Sequence, residues 1–344
     1  MGNFKRGQLQ LLKLYAVKVI ILFTLLAIVF SSCSISRINY PGKIEPITIG
    51  MESTAVNSLI YIAESQNYFA ANGLNVIIKD NYTSGAAAVE SMLRGEVDLA
   101  TAAEFAIVRQ AFAKERVRTL ASIDMFMHMK LIGRKDRGIQ NISDLKGKRI
   151  GVPLKTAADF MFGRFLDLRG INANQLTIVD VQAPQAVDAV VNGDVDAVVV
   201  WQPNVTVITE RLGDKASVWD VQSGQPIYCA VVTTGDLASR NPGVLKRFLN
   251  SIAQAEEYLV RNPVQARAIV QKRLAYDDRY IETIWPEHQF SIRLDQSLIL
   301  AMEDQARWMI NNNLTTEKQV PNFLDYIYED SLKAVNPGAV NIIR

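Results

Sequence analysis

From residue 47 onward the chain alternates short apolar runs with longer stretches whose apolar residues recur every three or four positions, the signature of β-strands alternating with amphipathic helices. The pattern predicts strands over 47–51, 74–79, 118–124 and 129–133, with helices over 57–72 and 104–114, the first of them stopped at Gly73. One segment occurs twice. Ala88-Val-Glu-Ser-Met-Leu-Arg-Gly-Glu-Val-Asp98 returns as Ala186-Val-Asp-Ala-Val-Val-Asn-Gly-Asp-Val-Asp196, at a constant offset of 98. Each copy reads as a helix ended by Gly, an acidic step and an apolar strand, which is the second half of a βαβ unit. That offset is the size of a domain and far exceeds a solenoid period of roughly 20 to 50 residues. Two similar α/β lobes in one chain predict a cleft between them, the usual seat of a small ligand.

A second round of the pattern begins at residue 142. A strand over 149–152 is followed by a helix over 157–168 stopped at Gly170, a strand over 176–181, the second repeat, and Trp201-Gln-Pro203 leading a further helix. After a strand over 227–232 the chain reads as almost wholly helical to its end, with helices over 244–261, 263–273 and 294–311. Lobe one (47–134 and 226–344) is thus interrupted by lobe two (135–225), with crossings near 134–136 and 225–228. Two crossing segments make a hinge. Each lobe is expected to hold a mostly parallel sheet flanked by helices.

The first 33 residues stand apart from this pattern. Lys5, Arg6, Lys13 and Lys18 precede an apolar run over 19–30 and then Ser31-Ser32-Cys33, the plan of a secretory signal. The cysteine at the junction resembles that of a bacterial lipoprotein, in which Cys33 becomes the lipid-bearing first residue, with 34–46 as a tether. The alternative is an uncleaved anchor, although Lys13 and Lys18 interrupt the span. Both readings place the body at the cell envelope, held to a membrane and facing the periplasm or exterior.

Without the four leader cations the charges are 33 against 35, a balance that argues against nucleic acid as a partner. Cys229 has no second mature cysteine but Cys33, and reads as a small buried hydrophobe. His128 and His288 belong to no Cys or His cluster, so neither a metal nor another cofactor is expected.

The motifs together carry a family likeness. Ser84-Gly-Ala-Ala-Ala88, Gly95-Glu-Val-Asp-Leu-Ala100, Asn141-Ile-Ser-Asp-Leu-Lys-Gly-Lys-Arg-Ile-Gly-Val152, the Thr156 helix start and Val200-Trp-Gln-Pro203 resemble the periplasmic substrate-binding proteins of ABC importers. The branch is that of the nitrate, sulfonate, taurine and pyrimidine-precursor binders. The resemblance implies a two-lobed type II periplasmic-binding-protein fold, capture of a small solute, and delivery by a monomer to an ABC permease and its ATPase. A sensor reporting the solute to a membrane partner is one alternative. A pyrimidine-precursor-forming enzyme is another, disfavoured because the chain lacks the Cys-rich segment that this branch of the superfamily implies.

Ligands of α/β lobes sit at the carboxyl ends of strands, where helix N-termini present free N–H groups. The candidates are Ser53 and Thr54, Ser84 and Gly85, Thr101 and Ala102 with Glu104, and Thr156 and Ala157 with Asp159. Asp124 and Trp201 end two further strands, Trp201 as a stacking surface or a core residue. Thr101-x-x-Glu104 and Thr156-x-x-Asp159 have the spacing of capping boxes, so both acids read equally as caps or as groups facing an amine or a pyrimidine.

Overall fold

The computed structural model describes residues 40–344; the signal-peptide reading and Cys33 lie outside them. Among the described residues, twelve strands form two sheets. They are β1 (Glu45–Gly50), β2 (Leu74–Lys79), β3 (Leu99–Ala103), β4 (Val117–Phe126), β5 (Lys130–Arg134), β6 (Arg149–Val152), β7 (Thr177–Asp180), β8 (Ala197–Val200), β9 (Ala216–Asp220), β10 (Ile227–Thr234), β11 (His288–Asp295) and β12 (Val340–Asn341). The larger sheet has the order β12-β11-β4-β10-β3-β1-β2 and the smaller β7-β6-β8-β5-β9. Where the repeats lie, β2-β1-β3 and β7-β6-β8, the pairing is parallel; β4, β10 and β11, and β5 and β9, run antiparallel, so both sheets are mixed.

The repeated acid has the same task in both sheets. Asp98 Oδ2 accepts from Thr48 N and Oγ1, each at 2.7 Å, while Asp98 N donates to Thr48 O. Asp196 Oδ2 accepts from Arg149 N at 2.9 Å, while Asp196 N donates to Arg149 O. The aspartate ending each repeat thereby ties its strand to the neighbouring parallel strand, satisfying main-chain groups at the strand start. Gly95 and Gly193 end the two helices with φ of +77° and +87°, a conformation that costs other residues a Cβ clash.

Three expectations need correction. The strand over 129–133, assigned to lobe one, is β5, and it pairs with β8 and β9 in the second sheet. Its antiparallel partners follow it in sequence, so the first crossing lies at 127–129 and the second at 221–226. The buried Gln222 staples the two: its Nε2 donates to Phe126 O at 2.9 Å and its Oε1 accepts from Met129 N at 2.9 Å. The tether also ends early. Glu45 and Pro46 already pair with Leu74 and Asn75, and Arg247 Nη1 donates to Tyr40 Oη at 2.8 Å. Finally, the tail, read as almost wholly helical, holds two strands, β11 and β12. β11 lies between helices Asp278–Ile284 and Gln296–Asn311, with Ile292 and Leu294 buried and Arg293 exposed between them. This period of two is masked in the sequence because the strand begins with polar residues and alternates only from Phe290.

Both sheets bury their apolar faces. All four residues of β8 are buried, as are seven of the eight in β10. The helix Ala157–Asp167, which follows β6, meets the helix Glu104–Phe112 of the larger sheet through Phe160, Phe105 and Trp308, with ring centroids 5.4 to 5.8 Å apart for Phe160. Edge-on and offset arrangements of this kind stabilise beyond their buried area.

Candidate functional site

A cavity lies where the strand ends of the two sheets face each other, enclosing about 590 Å³ of space counting the part open to solvent. The larger sheet supplies the segment after β1 (Glu52, Thr54, Asn57), the start of the helix Gly85–Leu93, and the end of β3. The smaller sheet supplies Thr156 and Ala157 after β6 and Trp201 after β8. The crossing segment adds His128 and Met129.

Local sequence explains the donors on this wall. Ser84 is the extended N-cap of the helix Gly85–Leu93, its Oγ accepting from Ala87 N at 3.2 Å. Thr156 caps the helix Ala157–Asp167 by accepting from Ala158 N at 3.2 Å and donates to Pro153 O at 2.7 Å. The first helical residues, Gly85, Ala86 and Ala157, line the cavity, and the earliest N–H groups of a helix have no partner inside it. A glycine is required at 85: a Cβ there would lie 2.6 Å from Ala102 Cα, so the helix start and β3 approach too closely for any side chain.

Across the cavity, Trp201 Nε1 donates to Glu52 Oε1 at 2.9 Å and joins the two sheets. Trp201 is 7% exposed, so it is both a wall of the cavity and a buried aromatic. Burial pushes the Glu52 carboxyl up to about 7, and the Trp201 N–H draws it back down only in part. A second bridge runs from Arg109 Nη1 to Lys155 O at 3.1 Å. The apolar lining includes Val56, Phe126, Met129 and five alanines beside Trp201, which suits the hydrocarbon part of a small organic solute.

Of the residues selected from sequence, Thr54, Ser84, Gly85, Thr101, Ala102, Thr156, Ala157 and Trp201 line this cavity. Ser53, Glu104, Asp124 and Asp159 do not. Ser53 is exposed. Glu104 is neither a cap nor a cleft acid: Ala103 is the N-cap, and the buried Glu104 carboxylate accepts from Tyr228 N at 2.9 Å and Gln305 Nε2 at 2.7 Å, tying three elements together. Burial lifts it to about 7. Asp124 accepts from Gln289 N and lies 2.6 Å from His288 Nδ1, with its carboxyl raised to about 6 by burial. Asp159 does serve its helix, accepting from Lys155 N at 3.0 Å, one residue before the expected partner.

Sequence reasoning passed over Glu52, Asn57, His128 and Cys229 as site residues. Glu52 lies two residues past β1, within the rule used to select Ser53 and Thr54, and only the path of the turn puts it inward. His128 is 2% exposed and its two ring nitrogens have no partner; burial first, then His288 and Lys130, hold it well below the usual imidazole range, so it is neutral. Cys229 is buried as expected and also lines the cavity, and burial pushes its thiol well up, keeping it protonated. Among the described residues no group of His, Cys, Asp and Glu is arranged to hold a metal ion.

Known proteins share this architecture. The alkanesulfonate-binding protein of Xanthomonas axonopodis pv. citri bound to MOPS superposes with a TM-score of 0.71 at 16% identity, covering 84% of this chain and 99% of that one. In sequence, the chain is 26% identical over 238 residues to the taurine-binding periplasmic protein of Escherichia coli (strain K12), 67% of this chain and 71% of the relative. It is 24% identical over 242 residues to the 4-amino-5-hydroxymethyl-2-methylpyrimidine phosphate synthase of Schizosaccharomyces pombe, 62% and 65% of the two. A family description, NMT1/THI5 like, matches residues 55–266, which hold most of the cavity wall and all of the second sheet. The two sheets, the cavity between them and this match over more than half its length make the chain a member of the NMT1/THI5-like family.

Proposed function

We propose that this protein is an extracytoplasmic, lipid-anchored solute-binding protein that captures a small organic molecule between its two lobes and delivers it to an ABC permease. The observation that carries the reading is the cavity itself: its walls come from strand ends and helix starts of both sheets, and the Glu52–Trp201 bond spans it, so a bound solute would be gripped from both sides. Two crossing segments stapled by Gln222 supply the hinge on which such lobes open and close. The taurine-binding and alkanesulfonate-binding relatives support a solute of similar size and chemistry. The protonated Cys229 thiol and the tied-down Asp124–His288 pair favour binding over catalysis, because neither presents an activated nucleophile to the cavity.

Thermal melting of residues 34–344 across alkanesulfonates, aminosulfonates, nitrate, pyrimidines and amino acids tests the reading. A true ligand at a hundred times its dissociation constant stabilises the fold by about 2.7 kcal/mol. A flat panel counts against solute capture. For the anchor, C33S should abolish incorporation of a labelled lipid; continued labelling would remove that part of the proposal.

A further inference from the structure

The polar groups of the cavity are segregated by hydrogen-bonding sense. At Gly85 on the larger-sheet wall and at Ala157 on the smaller-sheet wall the protein offers N–H groups at helix starts. On the segment after β1 it offers acceptors. Asn57 Nδ2 donates to Glu52 O at 2.8 Å, which fixes the amide and leaves Oδ1 as an acceptor with no partner, in a residue that is 0% exposed. Thr54, 4% exposed, holds Oγ1 without a partner. Glu52 adds a carboxylate one of whose oxygens is engaged by Trp201, and it takes part in no ion pair among the described residues. Among the described residues no Lys or Arg lines the cavity.

Buried acceptors left unpaired are costly, and a buried carboxylate without a counter-cation more so. We propose that the solute carries a protonated amine, which Glu52, Asn57 Oδ1 and Thr54 Oγ1 receive, while its anionic group meets the N–H groups of the helix starts at Gly85 and Ala157. A primary ammonium has three N–H donors and a positive charge, which matches three acceptors of which one is a carboxylate. A neutral amide or hydroxyl would bring no charge to Glu52, which would then stay in its buried place by holding a proton, as burial already favours in the free protein. The inference rests on the solute-binding reading and narrows it to amino-bearing, zwitterionic solutes.

Titration calorimetry with matched pairs tests it: 2-aminoethanesulfonate against ethanesulfonate, and β-alanine against propionate. For at least one pair, the amino compound should bind tenfold or more tightly than its partner. E52Q, which keeps an acceptor for Trp201 Nε1, should cost the amino compound at least tenfold and the desamino compound less than threefold; T54V should narrow the preference by a smaller factor with the melting temperature kept. Equal affinity within each pair, or an equal loss for both members in E52Q, overturns the amine assignment. Binding by desamino compounds alone overturns it and leaves solute capture standing, whereas no binding by any of the four overturns the amine assignment and weighs against the broader reading.

Discussion

The two copies of the repeated segment use one scaffold for different ends. Asp98 and Asp196 tie equivalent pairs of strands by the same main-chain bonds, and Gly95 and Gly193 turn the same corner. At the helix starts they part. The first copy opens with Ser84-Gly85, whose hydroxyl caps the helix and whose missing Cβ lets the backbone close on Ala102. The second opens with Gln182-Ala183, where Gln182 donates to Asp180 Oδ1 at 2.8 Å and no side chain caps the helix. Ninety-eight positions apart at the strand ends stand Ala103 and Trp201, a small wall residue and the large one that reaches Glu52. What recurs is what the backbone needs; what differs is what faces the cavity.

The largest expected effect tests the shared part. D98A strands Thr48 N and Oγ1 and should cost roughly 3 kcal/mol in denaturant unfolding. D196A, whose partner Arg149 N is nearer solvent, should cost about 2 kcal/mol. Neither should change ligand affinity in the folded protein, and a loss of affinity at unchanged stability would give the repeat acid a role in the site.

Next comes the helix start. G85A forces a contact at 2.6 Å with main chain and should destabilise by roughly 2 kcal/mol, whereas A183G in the other copy should cost about 1 kcal/mol or less, by chain entropy alone. Equal costs in the two copies would erase the distinction drawn at these positions.

The three carboxyls raised furthest by burial all belong to the larger sheet. Glu52 and Glu104 at about 7, and Asp124 at about 6, bind protons more tightly folded than unfolded, where carboxyls titrate near 4 to 4.5. Between about pH 4.5 and 7 the folded state therefore holds more protons, and stability falls as pH rises through that window. E104Q should flatten the decline by on the order of 2 kcal/mol between pH 5 and 7.5, read from unfolding at both values. An unchanged slope would mean that Glu104 is not held protonated by its buried site.

The smallest effect concerns the bridge. W201F keeps an aromatic wall but removes the donor to Glu52, and should weaken ligand binding by about 1 kcal/mol with little change in melting of the free protein. A drop in stability without a drop in affinity would make Trp201 a packing residue.

The order of strands and helices as far as β8, the doubled unit, the family likeness and the positions of Ser84, Gly85, Thr156 and Trp201 beside the cavity were legible in the chain, because periodicity, helix-stopping glycines and helix-capping hydroxyls act over a few residues. Three things were not. Membership of β5 in the second sheet depends on which distant strand it pairs with, and an apolar run of five residues fits either sheet. The fate of the acids depends on partners far away in sequence: Glu104 meets Tyr228 and Gln305, and Asp124 meets His288. Which of Glu52, Ser53 and Thr54 faces inward depends on the turn after β1, fixed when Asn57 bonds back to Glu52 O. Local pattern sets where a chain curls or extends, since those choices are made among neighbours; which carboxylate is buried beside which partner is settled only when segments more than a hundred residues apart are packed together and each polar group must find a bond.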